Sequence, residues 1–120
     1  MTILAQLRVW DEKANEHRLI DITREQVITA FNKYNTDYPK NDYQDEGHEP
    51  WLEDNIKRPG AYNWAIWYEG RCYPGKCILR YVTGYEGFYG GWGNNQANGI
   101  FDRLGFKVTP RPELHKDWRP

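Results

Sequence analysis

The pattern of hydrophobic and polar positions opens on an alternation. Ile3, Ala5, Leu7 and Val9 recur at every second position, as in a half-buried strand, although Ile3, Leu4, Leu7 and Trp10 also share one helical face. The β-favouring Val9-Trp10 pair and the polar turn that follows, Asp11 to Glu16, tip the reading to a strand, with Arg18 to Ile22 returning as its hairpin partner. Thr23-Arg24-Glu25-Gln26 is a capping box, and Val27, Ile28, Phe31 and Tyr34 then fall on one face, so the spacing predicts a helix over 24–35.

A polar stretch over 36–49 reads as a long loop. Pro50 opens a short helix that packs Trp51, Leu52 and Ile56 inward and stops at Pro59-Gly60. The aromatic run Tyr62 to Tyr68 predicts a strand, turned by Glu69-Gly70 into Arg71-Cys72-Tyr73. Pro74 stands where a helix begins, with Ile78, Leu79 and Val82 as its buried stripe. A Gly- and Tyr-rich loop from Gly84 to Gly93 leads to a last helix that Asn94 or Asn95 can cap. Ala97, Ile100, Phe101 and Leu104 follow the helical period, Gly105 supplies a left-handed stop, and Phe106 to Val108 returns as a strand. The expected fold class is α+β, with a small antiparallel sheet (hairpin 62–73 plus strand 106–108) packed with three or four helices. Residues 1–120 are read as a single domain, with 1–20 as an N-terminal extension and 109–120 as an extended tail.

Composition changes this picture in one respect. The mean hydropathy of -0.93 suggests a chain short of core. Yet aromatic residues make up 16% of it, including 6 Trp and 9 Tyr, which disordered chains lack. The core is therefore expected to be aromatic more than aliphatic, with Trp and Tyr placed where their polar ends find partners.

The net charge of -1 argues against a protein built only to neutralise phosphates, but the charge is unevenly spread. Asp42, Asp45, Glu46, Glu49, Glu53 and Asp54 crowd one segment without a Lys or Arg, whereas residues 55–120 hold ten basic and five acidic residues. Two faces with different partners would produce this, and so would a solvated loop beside an ordinary surface. Cys72 and Cys77 lack a second pair and the three His are scattered, so no zinc site is expected and the cysteines read as buried free thiols. No apolar run has the length of a signal peptide or membrane span, so a soluble cytoplasmic protein without membrane contact is expected.

Two segments carry binding chemistry. In Tyr73-Pro74-Gly75-Lys76, a helix starting at Pro74 would set the Lys76 ammonium beside free backbone amides, an anion site that Arg71 and Arg80 would extend. A plain pairing of Lys76 with Glu69 is the alternative. In Gly90-Gly91-Trp92-Gly93-Asn94-Asn95-Gln96, glycines permit close approach of a ligand, Trp92, Tyr89 and Tyr85 offer faces for stacking, and Asn94, Asn95 and Gln96 offer hydrogen bonds to base edges. Here the alternative is a loop whose aromatics fold back on the core. Catalytic motifs are absent, and Glu46-Gly47-His48-Glu49 lacks an orienting group, so no enzymatic role and no cofactor are expected.

The order of these pieces resembles a family. Capped helix Thr23 to Tyr34, aromatic strand Tyr62 to Tyr68, Gly70-Arg71-Cys72-Tyr73-Pro74-Gly75-Lys76, Phe88-Tyr89-Gly90-Gly91 and Leu104-Gly105-Phe106 are similar to the small N-terminal head domain of McrA-type, modification-dependent HNH restriction endonucleases. Residues 1–20 and the acidic loop have no counterpart in that pattern. The resemblance implies a stand-alone, non-catalytic nucleic-acid-binding accessory module, without HNH chemistry, whose partner is DNA (modified or not). The anion and base contacts would fall to Arg71, Tyr73, Lys76, Arg80, Trp92, Asn94, Asn95 and Gln96. On that reading Arg71→Ala and Lys76→Ala each weaken binding without unfolding the chain. The second reading is a protein-interaction module, such as an inhibitor of a host defence nuclease, with the six acidic residues of 42–54 in its interface.

Overall fold

The computed structural model describes residues 4–38 and 64–110. The proposed helix opening at Pro50, most of the acidic loop, and the tail from 111 onward lie outside these residues.

The opening alternation is a strand, β1 (Leu4–Asp11), which buries Ala5, Leu7 and Val9 and turns Leu4, Gln6, Arg8 and Trp10 outward. It pairs antiparallel with β2 (Glu16–Thr23) in a register that sets Leu7 opposite Ile20 and Trp10 opposite His17. The connecting turn is held by the Asp11 carboxylate, which accepts from the Ala14 amide at 3.2 Å, and by Asn15 at φ 53°. Asn tolerates this left-handed conformation better than most residues. Since Leu7, Val9 and Ile22 are fully buried and join the main core cluster, the hairpin belongs to the body of the fold and is no appendage.

Helix α1 (Arg24–Asp37) begins with both halves of the capping box: Gln26 N donates to Thr23 Oγ1 at 3.1 Å, and Thr23 N donates to Gln26 Oε1 at 2.9 Å. It runs to Asp37, past the expected end, because nothing in Thr36-Asp37 breaks it. Its buried face is Val27, Ala30, Phe31 and Tyr34.

Strands β3 (Trp64–Tyr68) and β4 (Arg71–Pro74) form the second hairpin. Its two-residue turn places Glu69 at φ 48° and Gly70 at φ 79°, the double positive φ whose twist suits a tight hairpin. β5 (Lys107–Pro110) pairs antiparallel with the other edge of β3, giving the strand order β4-β3-β5. The architecture is thus α+β as expected, with two small antiparallel sheets, the β1–β2 hairpin and β4-β3-β5, and three helices among the described residues.

Helix α2 (Gly75–Thr83) starts one residue later than the sequence suggested: Pro74, at φ -74° and ψ 109°, is the extended residue before the helix and the last of β4. Helix α3 (Ala97–Arg103) ends in a Schellman motif, with Phe106 N donating to Phe101 O and Gly105 N to Asp102 O, each at 3.0 Å. Arg24 at the start of α1 locks this end: Nη1 donates to Leu104 O at 2.8 Å, and its guanidinium lies 4.2 Å over the Phe106 ring.

The core is mixed. Phe31 stacks on Tyr73 at 4.2 Å and meets Phe106 edge-on at 5.4 Å, whereas Leu7, Ile22, Ile66, Ile78, Leu79 and Ile100 supply an aliphatic share the composition did not advertise. Cys72 is buried and Cys77 half-buried, and both are free thiols.

Candidate functional site

Four of the eight candidate binding residues, Arg71, Tyr73, Asn95 and Gln96, are committed to internal hydrogen bonds. Arg71 donates through Nη1 to Asn35 Oδ1 and through Nη2 to Tyr38 O at 2.7 Å, tying β4 to the end of α1. The guanidinium also lies 5.3 Å over the Tyr34 ring and 5.4 Å over that of Tyr73. Tyr73 is 2% exposed, and its hydroxyl donates to the same Asn35 oxygen at 3.1 Å. Burial removes it from any ligand. Arg80 has Nε and Nη2 shielded from solvent. Arg71 and Arg80 therefore have little to offer a phosphate, which is bound by guanidinium N–H groups that face water.

Lys76 is half-buried in the first turn of α2, its stem so close to Gly90 that a Cβ there would stand 3.0 Å from Lys76 Cε. The expected first-helical Pro74 with Lys76 beside it gives way to an extended Pro74 on a helix without a side-chain cap.

The Gly-rich loop behaves differently from a ligand cradle. Its own carbonyls turn onto the start of α3: Tyr89 O accepts from Ala97 N at 2.9 Å, Gly93 O from Gln96 N at 3.0 Å, and Gly91 O from Gly99 N at 3.2 Å. Gln96, the N-cap, turns its side chain to the loop as well, with Oε1 accepting from Gly93 N at 3.1 Å. Asn95 does not cap the helix either. Its Nδ2 donates to Gln6 O at 2.8 Å and its carbonyl accepts from Arg8 N at 3.0 Å. Together with Trp10 N donating to Gly87 O at 2.8 Å, these bonds make the loop a cover for the outer edge of β1. Of the loop candidates, Tyr89, Trp92 and Asn94 stand exposed, Trp92 by 49%, with its ring 5.4 Å edge-on from that of Trp64.

Docking this loop on β1 creates a surface that residue spacing did not reveal. Arg8, Trp10, His17, Gly87, Phe88 and Tyr89 line a recess of about 380 Å³. Trp10 meets His17 edge-on at 4.9 Å, and Tyr89 is 73% exposed. Arg8 and His17 are the basic groups of this lining, and it contains no carboxylate. A larger cleft of about 700 Å³ also borders Trp10, lined by Asp11, Glu12 and Glu86 as well as Lys13 and Arg18. There Asp11 and Arg18 already pair at 2.6 Å, so the cleft offers no surplus of positive charge. The recess differs in offering π faces with basic groups and no acid.

Of this lining, the loop's composition had singled out Tyr89 as a candidate stacking face. Arg8, Trp10 and His17 were not singled out, because they come from a hairpin more than 70 positions away in sequence. The six acidic residues of 42–54 lie outside the described residues. Among the described residues no cluster of three or more His, Cys, Asp or Glu could hold a metal ion, and no helix is long and apolar enough to cross a membrane. Comparison with protein-family models, curated proteins and solved structures finds no match to the chain.

Proposed function

We propose that this chain is a non-catalytic nucleic-acid-binding module that takes bases onto the outer face of the β1–β2 hairpin. The observation that carries the reading is the recess of Arg8, Trp10, His17, Phe88 and Tyr89, which combines aromatic faces and basic groups without a carboxylate. Its volume of about 380 Å³ is in the range of small-ligand pockets, and a base or nucleoside is of that order. Aromatic side chains stack on any base, and an adjacent cation serves the phosphate. The exposed Trp64–Trp92 pair is a second aromatic patch of the same kind. A role beside restriction or phage-defence systems rests on the resemblance of the Tyr62 to Val108 pattern alone.

Fluorescence anisotropy with labelled single-stranded and duplex oligonucleotides, at low and high salt, tests the proposal. Trp10→Ala keeps the backbone bond to Gly87 and removes the stacking face, so affinity should fall about tenfold, in line with roughly 1–3 kcal/mol per stacked base. Arg8→Ala should flatten the salt dependence by about one unit of slope. If the wild-type chain binds no probe at low salt, the proposal fails.

A further inference from the structure

The two edges of the β1–β2 sheet are treated differently. β1's outer edge is occupied along its length: Gln6 O, Arg8 N and Trp10 N bond to the 87–95 loop, and Leu4 O accepts from Arg103 Nε at 3.1 Å. These outward groups all belong to even-numbered residues. In an antiparallel ladder alternate residues direct both backbone groups to one edge, so the opposing residues His17, Leu19 and Asp21 direct theirs away from β1. No described strand or loop meets them. β2 spans eight residues without a Pro or Lys, and its charged side chains are engaged within the hairpin, Arg18 with Asp11 and Glu16 and Asp21 with Gln6. At its middle stands Leu19, 52% exposed.

We infer that the β2 edge pairs with the β2 edge of a second copy of this chain, about a two-fold axis through Leu19. The edge is self-complementary in that register. Leu19 faces Leu19, and His17 of each copy faces Asp21 of the other. All of these residues direct their backbone groups to this edge and their side chains to the same outer face, where Gln6 Nε2 reaches Asp21 Oδ1 at 2.9 Å. Registers centred on His17 or Asp21 would instead set like side chains against each other. Because β1's far edge is covered, pairing closes at two copies and gives a four-stranded sheet, with no open edge left for a filament. The contact is small, so assembly is concentration-dependent.

Sedimentation velocity of the full chain across a concentration series tests this without any ligand. The expected result is a shift from the monomer mass toward twice that mass. Leu19→Lys, which sets two ammonium groups together on the axis, should remain monomeric with an unchanged far-ultraviolet circular dichroism spectrum. His17→Glu and the double variant His17→Lys/Asp21→Lys separately should also stay monomeric, since each opposes like charges across the axis. Mixed in equal amounts, those two variants should form a one-to-one dimer, because both new pairs are then opposite in charge. A wild-type chain that is monomeric throughout overturns the inference. So does a dimer that survives Leu19→Lys, or a mixture that fails to associate.

Discussion

One carboxamide oxygen, Asn35 Oδ1 near the end of α1, accepts from both Arg71 and Tyr73 of β4. Arg71 adds a second bond to the Tyr38 carbonyl at 2.7 Å, so this arginine fastens the C-terminal turn of α1 to the sheet. A side chain with this duty is a poor choice for a ligand contact.

Arg71→Ala should therefore lower stability by about 2 kcal/mol, the scale of lost hydrogen bonds from a charged donor. Arg71→Lys should recover little, because an ammonium cannot span both acceptors as a planar fork does. Urea unfolding of the two variants measures the effect. An unchanged midpoint for Arg71→Ala would return this residue to the surface role expected from its place in the Gly-Arg-x-Tyr segment.

Gly99 is the tightest point in the packing of the loop on α3. A Cβ there would stand 2.1 Å from Gly93 O and 2.8 Å from Trp92 O, both backbone atoms that cannot swing aside. Gly99→Ala should destabilise the fold by about 3 kcal/mol and displace the segment that carries Trp92. Thermal unfolding with the tryptophan emission spectrum checks both parts. A variant that melts with the wild type and keeps its emission would contradict this packing.

The Asp11 carboxyl is held below its ordinary value of 3.8, first by the Ala14 amide and then, against some desolvation, by the Arg18 guanidinium. A carboxylate depressed in the folded state contributes stability above its unfolded value and loses it as pH falls through the folded one. Asp11→Asn keeps an acceptor for Ala14 but removes the charge. The wild type should exceed this variant in urea midpoint above the ordinary value of 3.8, and the gap should narrow as pH falls below it. A gap of constant size across that range would mean that the charge plays no part in holding the turn.

Much of the fold was legible because it is written locally. Thr23 and Gln26 cap α1 across three positions, Glu69-Gly70 turns the second hairpin, and Leu104-Gly105-Phe106 closes α3 through bonds to Phe101 and Asp102. Each depends on hydrogen bonds or φ values set by residues within one or two turns, and these the side-chain types announce. The Arg71-x-Tyr73 segment was singled out correctly as unusual, but its meaning was misjudged. Its acceptor, Asn35, lies 36 positions away on another element.

Local sequence was enough to place the start of α1, the end of α3 and both hairpin turns, and to favour a strand over 3–9. Tertiary structure alone decided which side chains remain free to act. Docking of Asn95 onto Gln6, 89 positions apart, turned a suspected ligand loop into a strand cover and assembled Arg8, Trp10, His17 and Tyr89 around one recess. The physical reason is that exposure and edge pairing belong to the whole packed chain. A residue's local pattern fixes its backbone, while distant neighbours fix what its side chain is left to do.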